Sequence, residues 1–364
     1  MASPSPEDVQ AIAVLPNISI GKDEPISIGN LSLVSSTDSA VSSLREELPA
    51  LDEFLNRFYD SFGKQLTPCV VLHKHTKPKE RVEREALAGF RDAISASVIC
   101  KQRSKYLLDP TCTPIYSSSF FDIDPRYIGT DNQLIIDSGL VSGVGAISHF
   151  RGSNNPHVTT RFLQFADADA ALLQQIESAW LRRFSEENPK KADIALFRSL
   201  NMARHATSAS NGLERSFYDA GLQIAQWVSA FEILIHPSKN HANERLTSQV
   251  IGSYFETMRN ELPATDLEHY LSCSLAILEH LYRIRNDFLH GNPVAAKGLR
   301  LGRQDTHVNY VAPAIYRLLI KATLHQEAPN YSQHEDDSTS IIRAITQSEE
   351  EDLYYQSIAF PFSE

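Results

Sequence analysis

Between Asp167 and residue 325 apolar side chains recur at helical spacing almost without a break, and the breaks that do occur are turn formers. Asn188-Pro189, Asn211-Gly212, His236-Pro237, Leu262-Pro263 and Gly291-Asn292-Pro293 punctuate the run. This spacing predicts helices over 167–186, 191–208, 211–236, 241–260, 265–290 and 305–325. In the third, Leu222, Ala225, Trp227, Val228, Phe231 and Leu234 form a broad apolar face. Helices with such faces and short connections bury them against one another, so the expected architecture is an all-α antiparallel bundle over 166–325.

The front half reads differently. Short β-type runs at Val9–Leu15, 18–20, 26–28 and 31–34 are separated by Gly21, Pro25 and Gly29-Asn30, which predicts strands. Residues 39–62 have helical spacing interrupted at Pro49, and 78–101 form an amphipathic pattern with Leu87, Phe90, Ile94 and Val98 on one stripe. Leu134-Ile135-Ile136 and 141–150 are strand-like. Residues 1–165 are therefore expected to be a mixed α+β domain, whose role the sequence leaves open. Residues 326–364 carry nine acidic side chains against Arg343 alone, and are expected to be an acidic, flexible tail.

The chain of 364 residues is 42% hydrophobic and 22% charged, as in soluble globular proteins. No apolar run approaches the roughly 20 residues of a membrane helix, and the first residues lack the pattern of a secretory signal. Cys69, Cys100, Cys112 and Cys273 have neither disulfide-framework nor metal-site spacing, so the expected location is the cytoplasm and no membrane partner is expected. The net charge of −11 is uneven, because residues 283–321 hold seven bases against Asp287 and Asp305. A local basic field attracts phosphate whatever the sign of the whole chain.

Within that basic stretch lies the densest cluster of chemically capable side chains: Arg285-Asn286-Asp287-Phe288-Leu289-His290, then Gly291-Asn292-Pro293. Asn286 and His290 are four apart and share a helix face. Arg285 is about 140° away from His290 around the same helix, so one chain does not focus both on one phosphate. Two copies related by a dimer axis can. Arg283, seven residues before His290, shares its face and competes for the phosphate-binding role.

This motif at the end of a bundle helix resembles that of the HEPN superfamily of ribonucleases. Leu281-Tyr282-Arg283-Ile284-Arg285-Asn286 running into His290-Gly291-Asn292, with the earlier Trp227-Val228-Ser229-Ala230-Phe231-Glu232-Ile233-Leu234, is similar to the Apea-like branch, over about residues 190–325. The resemblance implies metal-independent RNA cleavage at a site built across a homodimer, often in toxin or phage-defence settings with an antitoxin or trigger protein. Neither cofactor nor metal is implied. The implied catalytic residues are Arg285, Asn286 and His290. His290 would be general acid or base, Arg285 would stabilise the phosphorane, and Asn286 would orient the imidazole or bind a phosphate oxygen. Arg283, Asp287 and Glu232 are supporting candidates, and Lys297, Arg300 and Arg303 are substrate-binding candidates.

Each has a structural reading beside the functional one. His290-Gly291 suits a helix end, and Arg285 can pair with Glu232 across a bundle, making the chain a non-catalytic interaction or dimerisation module. Glu232 interrupts an apolar face and needs a partner, Arg285 or Arg283. Trp227 and Phe231 are expected in the core. His73-Lys74-His75 lacks a third metal ligand and reads as surface loop, as do His236 and His241.

Overall fold

The structure, a computed structural model, describes residues 9–363 apart from 23, 61, 76–81, 112–115, 125, 129–132, 138–141, 147–159, 187, 209–216, 237–242, 261–262 and 328–350. The chain divides into two units. One runs up to Ile94 and resumes over Ser117–Asp167; the other takes Ser95–Tyr116 and everything from Ala168.

In the first unit β1 (Val9–Leu15), β2 (Ile18–Ile20), β3 (Ile26–Ile28) and β4 (Leu31–Ser35) follow one another closely. Two short helices come next, α1 (Ser39–Glu47) and α2 (Pro49–Leu55). Asp38 caps α1 through the Ala40 amide at 2.8 Å. Pro49 is the first residue of α2, where its missing N–H costs nothing, so the proline divides the expected helix in two. Strand β5 (Cys69–Lys74) completes an antiparallel sheet of order β1-β5-β4-β3.

The position of β5 corrects the expectation of a loop at His73. Cys69, Val70, Val71, Leu72 and His73 are all buried, so both faces of this strand are covered, and such a strand carries a continuous apolar run rather than an alternating one. His73 is buried there, with its Nε2 2.9 Å from the Asn30 side-chain amide nitrogen. One face of the sheet packs on Val41, Leu44, Leu51, Phe54 and Phe58. The long helix α3 (Arg84–Leu108) follows, its first turns belonging to this unit and its later ones to the second. Strands β6 (Arg126–Ile128), β7 (Gln133–Asp137) and β8 (Ser142–Ala146) form a separate antiparallel meander, and β9 (Arg161–Leu163) pairs in parallel with β2.

The second unit is mostly helical. It contains α4 (Ala170–Ser185), α5 (Lys191–Thr207), α6 (Phe217–Ile235), α7 (Glu244–Thr257), α8 (Ala264–Leu289) and α9 (Val308–Glu327). Asp169 and Asn243 cap α4 and α7 by accepting the Leu172 and Leu246 amides. Helix α6 packs against α5, α8 and α9. Trp227 and Phe231 on α6 meet Tyr316 on α9, with ring centroids 5.5 and 6.1 Å apart, and all three are buried. They are core, each contributing about 1.5–3 kcal/mol of apolar burial. The Tyr316 hydroxyl lies 2.8 Å from Ser199 Oγ, which donates to the Ala230 carbonyl, whereas the buried Trp227 Nε1–H has no acceptor among the described residues. Leu222, expected on the buried face of α6, is 43% exposed.

Residues 305–307 are not the start of the last helix. A small hairpin, β10 (Arg300–Leu301) and β11 (Thr306–His307), precedes α9. The end of the acidic tail is also ordered, with residues 351–359 helical and Tyr354, Tyr355 and Ile358 buried. No described helix is long and apolar enough to cross a membrane. Cys69, Cys100 and Cys273 are free and buried, and Cys112 lies outside the described residues.

Candidate functional site

Helix α8 ends where its sequence says it must. Gly291 has φ +76°, a conformation open to glycine, and the chain reverses there. The Gly291 amide donates to the Phe288 carbonyl at 3.2 Å and the Asn292 amide to the Asp287 carbonyl at 2.8 Å. This is the Schellman pattern of paired terminal bonds. The apolar contact that often closes it is replaced by Asn292 Nδ2 donating to Asp287 Oδ1 at 3.1 Å. Asp287 thus holds the helix end, and His290 is the cap residue itself.

Two contacts fix the register of α8 on α6. At Gly221 a Cβ would lie 2.6 Å from the Phe288 ring, so the absence of a side chain lets the two helices close over that ring. Further along, Arg285 Nη2 donates to both Glu232 carboxylate oxygens, at 3.1 and 3.5 Å. Of the two arginines that could partner Glu232, Arg285 takes it. Its Nη1 donates to Asn286 Oδ1 at 3.0 Å. Burial raises the Glu232 pKa, while Arg285 and a hydrogen bond with Tyr282 pull it back. The Tyr282 hydroxyl is itself 3.0 Å from Thr247 Oγ1 on α7, and burial pushes its pKa up.

His290 is exposed at the cap, and its imidazole has no partner among the described residues. Arg283, on the same face by periodicity, turns toward His280 Nδ1 instead. Since His280 Nε2 donates to the Gly298 carbonyl at 2.9 Å, Nδ1 must be the acceptor, which assigns the neutral Nε2–H tautomer. Burial, then the adjacent Arg283 cation, lower the His280 pKa and favour that neutral form. The His280–Arg283 pair was not singled out from the sequence. Its signal was the three-residue spacing, which is also that of any pair of helix neighbours.

Lys297, Arg300 and Arg303 are all exposed after the end of α8. Arg300 donates to the Asp305 carbonyl at 2.9 Å and lies 3.8 Å from its carboxylate. The structure therefore joins Arg285, Asn286 and Glu232 in one network and Asp287 with Asn292 in another. Arg283 joins a third with His280, and His290 stands apart from all of these.

A second cluster was invisible in the sequence because its members lie far apart along it. Arg317 on α9 is buried, and its Nε donates to Asp169 Oδ2 at 2.6 Å. Its Nη1 and Nη2 donate to the two Glu351 oxygens at 3.0 and 2.8 Å, and its guanidinium lies 3.8 Å from the Tyr354 ring centroid. Lys321 also pairs with Glu351. Burial works against the charge on Arg317, but Asp169, Tyr354 and Glu351 together hold its pKa well above the usual value. Burial likewise opposes the Glu351 carboxylate, and Arg317 and Lys321 overcome it, so its pKa is lowered. A tail that looks solvated by composition carries the acid that completes this buried cluster.

No protein-family model matches the chain, and neither a curated protein nor a solved structure matches it.

Proposed function

We propose that the chain is a metal-independent endoribonuclease of HEPN-like type, acting through a composite site in which Arg285 of one protomer works with His290 of another. The single observation that carries this reading is the His290 imidazole, exposed and without a side-chain partner among the described residues, at the end of the helix that bears the Arg285–Asn286 pair. As general acid or base, His290 would take a proton from a ribose 2′-hydroxyl or give one to a leaving 5′-oxygen. Arg285 would offer paired N–H donors to the phosphorane, at the expense of part of its bond to Glu232. The products would be a 2′,3′-cyclic phosphate and a 5′-hydroxyl, and DNA, lacking the nucleophile, would resist. Leu289, 57% exposed beside His290, and Leu222, 43% exposed beside Gly221, are the apolar side chains that a homodimer at this end of α6 and α8 would cover. A toxin or phage-defence effector, held by an antitoxin or released by a trigger protein, is the setting this activity fits.

The second reading, a non-catalytic interaction module, is favoured by one specific observation: Arg285 is already ion-paired with Glu232. Labelled RNA incubated with the full chain in EDTA separates the two. The nuclease reading expects cleavage that disappears in both Arg285→Ala and His290→Ala. Mixing the two inactive variants should then restore about a quarter of the wild-type rate, because half of randomly exchanged dimers contain one intact site of two. A mixture that stays inactive despite demonstrated subunit exchange rules out the composite site. Inactivity of the wild-type chain on every RNA tested favours the module.

A further inference from the structure

The start of α9 carries a consequence of one proline. Pro313 lies inside the helix and has no N–H, so the Asn309 carbonyl four residues earlier loses its usual donor. Arg103 on α3 supplies one, with Nη1 donating to that carbonyl at 2.9 Å. The bond pins the guanidinium beside the first turn of α9 and uses only part of it. Among the described residues Arg103 has no carboxylate partner, and its Nε–H is buried with no acceptor.

His307 stands next to it. Its Nδ1 accepts the Asn309 amide at 3.3 Å, so in the neutral ring Nε2 carries the proton, and that donor has no partner among the described residues. Directly across the β10–β11 pair is Arg300. Asp305, the carboxylate nearest Arg300, is 78% exposed and therefore screened by solvent. The rings of Tyr310 and Tyr106 lie 5.3 Å apart beside His307. The amides of the first turn of a 20-residue helix add their positive end. Burial, then Arg300 and Arg103, depress the His307 pKa, and burial depresses that of Arg103 while Tyr310 and Cys100 pull it back.

We infer that Arg103, Arg300, His307 and the N-terminal turn of α9 form a binding site for a phosphate monoester dianion. Two guanidiniums, an imidazole N–H and a helix N-terminus arrive from separate elements. That arrangement suits a tetrahedral group with several acceptor oxygens better than a planar carboxylate, which one guanidinium satisfies. The ligand chemistry has two sources, free phosphate or the terminal phosphate of an RNA. The inference does not rest on the nuclease reading, since it uses neither Arg285 nor His290.

The test is a titration of the full chain at constant ionic strength, following the His307 ring resonances and the melting temperature. The ligands are inorganic phosphate, a 5′-phosphorylated oligoribonucleotide and the same oligonucleotide with a 5′-hydroxyl. A raised His307 pKa and a higher melting temperature with either phosphate-bearing ligand, and neither change with the 5′-hydroxyl form, support the site. A response to inorganic phosphate alone assigns it to free phosphate, and a response to the oligonucleotide as well assigns it to RNA ends. Arg300→Gln and the double variant Arg103→Met/Pro313→Ala, which returns an N–H to the Asn309 carbonyl, should weaken binding by about tenfold or more. Equal responses to phosphate and to chloride, or variants that bind like the wild type, overturn the inference.

Discussion

Arg285 Nη2 sits 3.1 Å from Glu232 Oε2, linking the helix that bears the Arg–His motif to the central helix of the bundle. The pair is enclosed without being dry, the side chains being 26% and 21% exposed. It both orients Arg285 and competes with any phosphate for it. Glu232→Gln keeps the shape and weakens the competition. In the nuclease reading this variant should retain cleavage, with KM moving more than kcat, whereas Glu232→Ala should lose stability. Denaturant unfolding of Glu232→Ala should report a loss of about 1–3 kcal/mol, the cost of leaving a partly buried arginine unpaired.

The pH dependence of that pair has a definite sign. The folded-state pKa of Glu232 lies above its ordinary value of 4.5, so the unfolded chain gives up this proton first as pH rises. The group therefore favours the folded state most below the ordinary value, and that contribution is lost as pH climbs through the raised one. The stability difference between wild type and Glu232→Gln, followed by urea unfolding from about pH 4 upward, should shift against the wild type over that window.

Gly221→Ala should be costly for a reason visible in one distance, the 2.6 Å between its new Cβ and the Phe288 ring. We expect a loss of about 1–3 kcal/mol from overpacking, with α8 displaced near its C-terminal end. Phe288→Leu in the same background should recover part of the melting temperature. A Gly221→Ala variant as stable as the wild type would show that the two helices close differently.

Glu351 should act as the fastener of the tail. Glu351→Ala leaves Asp169 as the remaining carboxylate on Arg317 among the described residues, and we expect a loss of about 3 kcal/mol, the scale of breaking one arm of a buried ion cluster. Because the Glu351 pKa is lowered, its contribution is present above the ordinary carboxylate value and disappears as pH falls through the lowered one. Hydrogen exchange over residues 351–362 should therefore accelerate in the variant at neutral pH, and in the wild type only on acidification.

Arg103→Met strands the Asn309 carbonyl that Pro313 cannot serve, and should cost about 1–2 kcal/mol. Adding Pro313→Ala to it should recover most of that loss by restoring the helical hydrogen bond. Thermal unfolding of the two single variants and the double measures the coupling directly.

Much of the fold was legible because it depends on short-range periodicity. Strands β1 to β4 and helices α4 to α8 follow from alternation, helical spacing and punctuation by proline, glycine and asparagine. So does the end of α8, since Gly291 at positive φ is a local requirement. Strand β5 was missed because a strand buried on both sides gives no alternation, and the β10–β11 hairpin because two-residue strands give almost no pattern. The residues of the Arg–His motif could likewise be named from spacing, and their geometric separation follows from the pitch of a helix.

What each of those side chains touches was decided by the tertiary structure alone. Helical spacing places Arg283 and His290 on one face, yet Arg283 turns back to His280 because a neutral imidazole acceptor is one turn away. Composition marks residues 326–364 as solvated, yet Glu351 is held by Arg317 and Lys321, and Tyr354 and Tyr355 are buried. The reason is the same in both cases. Periodicity fixes the direction in which a side chain leaves its own element, whereas its partner depends on which distant element the fold brings within about 3 Å. Ion pairs such as Arg317 with Asp169 and Glu351, 148 and 34 residues apart along the chain, exist only once the helices have packed.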